Sequence, residues 1–114
     1  MSDERWFSAK LRYAILIEPT GLHRYSDSVF VFKSTDFEAA FRRALQIGRE
    51  QEEEYLNSDG NRVRWKLASV ISLDGLQELI DGAEVYSEPV PANGAEIPFD
   101  HQFRPEESTP TQTV

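Results

Sequence analysis

Residues 6–17, WFSAKLRYAILI, alternate. Phe7, Ala9, Leu11, Tyr13, Ile15 and Ile17 fall on one side at period two, and Trp6, Ser8, Lys10, Arg12, Ala14 and Leu16 on the other. That is the signature of a strand with one buried face and a partly polar outer face. Pro19 and Gly21 interrupt it, and Glu18 to Asp27 reads as a loop. Ser28 to Lys33, SVFVFK, predicts a second strand, apolar on both sides. Thr35-Asp36-Phe37-Glu38 fits a capping box, in which the Thr35 hydroxyl accepts from the Glu38 amide. A long helix is then expected over roughly 36–56. Its core stripe would be Phe37, Ala40, Phe41, Ala44, Gly48 and Tyr55. Gly48 costs about 1 kcal/mol inside a helix unless helix and sheet approach closely there. Asn57 to Asn61 is a turn cluster.

Arg62 to Leu73 predicts a third strand, with Val63, Trp65, Leu67, Ser69 and Ile71 on one side. Leu73 to Ile80 reads as a short helix or helical turn. Glu84-Val85-Tyr86-Ser87 reads as a short fourth strand, held to an edge by Pro89 and Pro91. The fold class expected is α+β: a small antiparallel sheet with one long helix on one face, in the chain order β-β-α-β-turn-β. A right-handed crossover puts the third strand beside the first. The spatial order expected is therefore 2-1-3, with the fourth strand outside the third.

Charge divides the chain. Residues 1–72 carry 11 Lys/Arg and 11 Asp/Glu, whereas residues 73–114 carry Arg104 against nine acids, so the whole net charge of −8 lies in the last 42 residues. Five of the six prolines also lie from Pro89 onward. These shifts predict one α+β domain over 1–88 and an acidic, proline-rich disordered tail over 89–114, in which Ile97, Pro98, Phe99 and Phe103 form a short apolar cluster. The absence of cysteine excludes disulfides, thiolate catalysis and Cys-based zinc sites. No apolar run is long enough to span a bilayer and the N-terminus has no apolar signal-like region. A cytoplasmic protein without a membrane segment is the expectation.

Trp6 to Leu11, WFSAKL, Gly48 to Trp65, GREQEEEYLNSDGNRVRW, and Asp81 to Ser87, DGAEVYS, together resemble a small bacterial domain family of unknown function. Its members look like W-[YF]-S-A-K-L at the start, then a Gly, an acidic run, Y-x-N, a turn Gly and V-x-W, and then D-G-x-E-V-Y-S. The resemblance covers about residues 6–88. It implies the same domain and brings no activity, cofactor or partner.

Candidate chemistry is sparse. His23 and His101 stand far apart without metal-ligand spacing, and the acidic residues Glu50, Glu52, Glu53 and Glu54 point in different directions on a helix. No Gly-x-Ser-x-Gly elbow and no phosphate-cradling glycine loop occurs. No catalytic constellation, no metal and no cofactor is expected. Glu52 stands out because it falls on the predicted buried stripe, where a carboxylate needs a cation or an N–H from the sheet. The sharpest feature is the outer sheet face. In the expected order Lys10 and Arg12 sit beside Arg64 and Lys66, with Trp6 at the margin. Like charges side by side are destabilising, so something negative has to answer them.

Three answers are open. Glu84 and Glu88 could face Arg64 and Lys66 from within. A protein partner or a second copy could cover the face. An anionic ligand or single-stranded RNA could bind it, although the acidic total opposes nucleic acid. The reading carried forward is a non-catalytic binding or regulatory module that works by protein–protein contact, self-association included. The alternative is a binder of a small anionic ligand or single-stranded RNA on the basic face.

Overall fold

The computed structural model describes residues 3–92, 94 and 96–110. Four antiparallel strands and one helix make the domain α+β: β1 (Arg5–Ile17), β2 (Gly21–Ser34), α1 (Phe37–Glu50), β3 (Glu53–Leu56) and β4 (Arg62–Gly75), in the spatial order β2-β1-β4-β3. β4, which corresponds to the expected third strand, does lie beside β1, but the outer place beside β4 belongs to β3, whose residues fall within the expected helix 36–56. Glu84–Ser87 forms no strand, and Leu73–Ile80 forms no helix, since β4 runs on to Gly75.

The helix is shorter than expected because its last turn is closed at Gln51, whose N–H donates to the carbonyls of Ile47 and Arg49. The chain then reverses through Asn57–Asn61. There the Asn57 side-chain oxygen accepts from the amides of Asp59 and Asn61, and Gly60 takes the positive φ of +78° that the turn requires. The turn cluster was correctly located, but it joins two paired strands rather than a helix to a strand. At the other end of α1 the cap is Asp36, not Thr35. Extended backbone at Asp36 lets its carboxylate accept from Ala39 N at 2.8 Å.

β1 and β2 pair along their whole length through a tight reversal at Glu18–Thr20 that contains a cis Glu18–Pro19 bond. The long loop expected from Glu18 to Asp27 is therefore mostly strand, and His23 lies on it. The period of β4 also slips twice. Ala68 and Ile71 are skipped in its pairing with β1, so the helix-facing set is Val63, Trp65, Leu67, Val70 and Leu73 instead of a plain alternation through Ser69 and Ile71.

The core lies between α1 and one face of the sheet. Phe7, Ala9, Leu11, Tyr13 and Phe32 are buried there against Ala40 and Ala44, and Phe7 stacks on Phe32 with ring centroids 6.3 Å apart. α1 touches the sheet through small residues. A Cβ on Gly48 would stand 2.8 Å from Leu67 Cδ2 and 3.2 Å from Leu11 Cδ1, so the glycine sets how closely the helix lies. The Gly48 carbonyl accepts from the Tyr13 hydroxyl at 3.0 Å, which pins the same contact. With Ala40, Ala44 and Gly48 seated on the sheet, Phe37 and Phe41 are left on the flank, 59% and 42% exposed, not in the core stripe.

Gly48→Ala is expected to lower stability by about 1 kcal/mol despite its better helix propensity, because the added methyl overpacks against Leu67. In a Leu67→Ala background the same change is expected to be neutral or stabilising. Chemical denaturation of the four proteins checks this, and a stabilising Gly48→Ala in the wild-type background contradicts it.

Candidate functional site on the far sheet face

The sheet face opposite α1 carries Trp6, Ser8, Lys10 and Arg12 from β1, Tyr25, Asp27, Val29, Val31 and Lys33 from β2, and Arg62, Arg64, Lys66, Ser69, Ser72 and Asp74 from β4, as the pairing registers require. The four cations named from sequence share this face but do not stand beside one another. The two bulges in β4 place Ser72 opposite Lys10 and Ser69 opposite Arg12, whereas Lys66 lies opposite Ala14 and Arg64 opposite Leu16. The expected side-by-side basic cluster is thus drawn out along the face, and no like-charged pair is formed directly across these strands.

Each end of this face has its own counter-charges. Arg12 makes two bonds to Asp27, at 2.8 and 2.9 Å, from the directly opposed position on β2. This raises the Arg12 pKa, chiefly through the hydrogen bond to Asp27, and lowers that of Asp27 for the same reason. Lys10 is the deepest cation, its side chain only 12% exposed. Its Nζ donates to the Tyr86 hydroxyl at 2.9 Å and to Glu88 at 3.0 Å, lies 3.6 Å from Asp27, and sits 5.1 Å from the centre of the Tyr86 ring. Hydrogen bonding to Tyr86 and then Glu88 holds the ammonium above its ordinary pKa. The segment after β4 therefore returns across the far face and latches onto the central strand. Glu88 answers a basic residue from within, as one sequence reading allowed, but that residue is Lys10 rather than Arg64 or Lys66.

At the other end Arg62 pairs with Glu54 and lies 3.6 Å from Glu18. Lys66 donates to Glu52 at 3.3 Å. Arg64 makes no ion pair among the described residues. Trp6 sits at the margin, with the Lys33 ammonium 5.1 Å from its ring centre and its carbonyl accepting from Leu76 N at 2.8 Å.

Glu52 has the partners its sequence position called for, though for a different reason. It follows the helix instead of lying on its buried stripe. Its second oxygen accepts from the Leu67 backbone N–H at 2.8 Å, where β3 has not yet begun to pair with β4. The side chain thus continues the strand pairing by one place and satisfies an edge amide. The Leu67 N–H and then Lys66 hold its pKa below the usual carboxylate value.

Sequence reasoning missed Asp27 and Tyr86 as members of this face, and it placed Ser8 there without singling it out as a site residue. Asp27 could have been found by extending β2 back to Gly21. Tyr86, and the covering of Ser8, depend on how the segment after β4 folds back, for which alternation carries no signal. Among the described residues no group of three or more His, Cys, Asp or Glu is placed to hold a metal, and no helix is long and apolar enough to cross a membrane.

Because its pKa is depressed in the folded state, Glu52 contributes stability that is complete above the ordinary glutamate value near 4.3 and is lost as pH falls through its lower folded value. Glu52→Gln is expected to cost about 1 kcal/mol at pH 7 and to converge with wild type in acid. Denaturant titrations at pH 7 and in acid check this, and a deficit that persists unchanged in acid contradicts it.

Comparison with curated proteins and with solved structures finds no match. A family described as "Domain of unknown function (DUF4288)" matches residues 6–87, from Trp6 at the start of the far face to Ser87 beside the Lys10 latch. The match spans both long hairpin strands, the helix, the β3–β4 hairpin and most of the returning segment, and the chain belongs to this family of domains of unknown function.

Proposed function

We propose that the chain is a non-catalytic binding module that acts through protein–protein contact, and that the contact is made along β2 with a second copy of the chain. The observation that carries this is the outer strand itself. β2 is 14 residues long, is outermost in the sheet and pairs on one side only among the described residues. Leu22, Tyr25, Val29 and Val31 on it are 41–55% exposed. A long edge with unused backbone donors and acceptors is a template for another strand unless it is shielded by charge, proline or a bulge. Over Ser28–Phe32 the strand has none of these: its run is SVFVF, and its bulge lies far away at His23.

The sequence of β2 is also self-complementary. In antiparallel pairing about a two-fold axis at Phe30, Val29 of one copy meets Val31 of the other, and Asp27 meets Lys33, each twice. Moving the axis to Ser28 sets Asp27 against Val29, and moving it to Val29 sets Asp27 against Val31, so the register at Phe30 is the favoured one. Such a contact would join two four-stranded sheets into one. An anionic ligand or single-stranded RNA on the basic residues has less support, because, of Lys10, Arg12, Arg64 and Lys66, all but Arg64 already meet a carboxylate among the described residues. The apolar cluster at Ile97, Phe99 and Phe103 is exposed and offers a further contact outside the domain.

Light scattering over a concentration series is expected to show a dimer in the micromolar range for the wild type and a monomer for Val31→Lys, with both circular dichroism spectra alike. A wild-type monomer at every concentration, or a dimer indifferent to Val31→Lys, overturns the proposal.

A further inference from the structure

Where the returning segment crosses the far face it leaves a cavity of about 300 Å³, whose walls include Ser8, Asp74, Glu84, Val85, Tyr86 and Ser87. Ser8 is 1% exposed, and its hydroxyl has no hydrogen-bond partner among the described residues. The neighbouring Ser72 hydroxyl, opposite Lys10, is likewise buried and unpartnered. Buried hydroxyls normally find partners, because leaving one unpaired costs about 1–3 kcal/mol. Asp74 stands directly across from Ser8 on β4, and Glu84 faces the same space from the returning segment. Neither carboxylate makes an ion pair among the described residues. Lys10, two places along β1 from Ser8, is already engaged by Glu88, Tyr86 and Asp27.

We propose that this cavity binds a small organic cation, an alkylammonium or alkylguanidinium. Its N–H groups donate to the Asp74 and Glu84 carboxylates and to the Ser8 hydroxyl oxygen, and its alkyl part lies against Val85 and Tyr86. Asp74 and Glu84 are exposed carboxylates without ion-pair partners among the described residues, so they repel an anion and attract a cation, whereas a neutral ligand gains no Coulomb attraction from them. A bare divalent ion finds two carboxylates here, and no group of three or more His, Cys, Asp or Glu is placed to hold a metal among the described residues. The site is on the β1–β4 half of the face and does not involve the outer edge of β2, so it stands independently of the dimer.

The test is a titration of the ¹⁵N-labelled full chain with n-butylammonium and n-butylguanidinium, with n-butanol and calcium chloride as controls. Saturable shifts centred on Ser8, Gly75, Glu84 and Tyr86 are expected with at least one of the two cations. Asp74→Asn and Glu84→Gln are each expected to weaken binding about tenfold. Ser8→Ala should weaken it less while leaving the rest of the spectrum in place. Absence of saturation by both cations, equal affinity for butanol or calcium at the same amides, or binding unaffected by Glu84→Gln overturns the proposal.

Discussion

Burial of a lysine in the middle of the central strand is the constraint from which the far side of this molecule follows. Lys10 sits on β1 with a strand on each side, and its side chain is 12% exposed. An ammonium in that position has lost much of its water and needs acceptors from the protein. It finds them from two directions: Asp27 on β2, which also binds Arg12, and Tyr86 with Glu88 on the returning segment. One interaction therefore ties the outer strand, the central strand and the returning segment together. The helix side has a simpler rule, with Ala40, Ala44 and Gly48 letting α1 lie close on Leu11 and Leu67.

Closing the far face from within has a consequence for function. Its positive charge is largely spent internally, so the charge that looked most available in the sequence is the least available in the fold. What remains open is different in kind. The outer edge of β2 offers backbone groups and apolar side chains, and the cavity beside Ser8 offers carboxylates and one unpaired buried hydroxyl. The proposed protein contact and the proposed cation site draw on these two features separately.

Much of the fold was legible where periodicity is strong. β1, the body of β2, the start of α1, the turn at Asn57–Asn61 and the start of β4 follow from alternation, capping residues and turn chemistry. What failed did so for local physical reasons. Two bulges in β4 shift its phase, and no count by twos can carry a pattern through Ala68 and Ile71. The acidic run at Glu52–Glu54 looks helical by composition, yet Glu53 and Glu54 pair as strand because the turn that follows reverses the chain onto β4. Of the site residues singled out from sequence, Lys10, Arg12, Arg64 and Lys66 do share a face, and Glu52 does have the cation it needed. Their grouping was wrong because register, unlike face, is set by the bulges. Tyr86 was out of reach, since the path of a segment with no ladder of its own depends on tertiary contacts alone.

The function proposed for the domain depends on which part of the sheet is left open. Hydrogen–deuterium exchange followed amide by amide at low and high protein concentration measures this directly. Strong protection of β1 at both concentrations, with added protection at high concentration confined to β2 around Ser28–Phe32, is the predicted result. Protection that does not change on β2, or that grows instead over the strand and returning segment around Lys10, would contradict it.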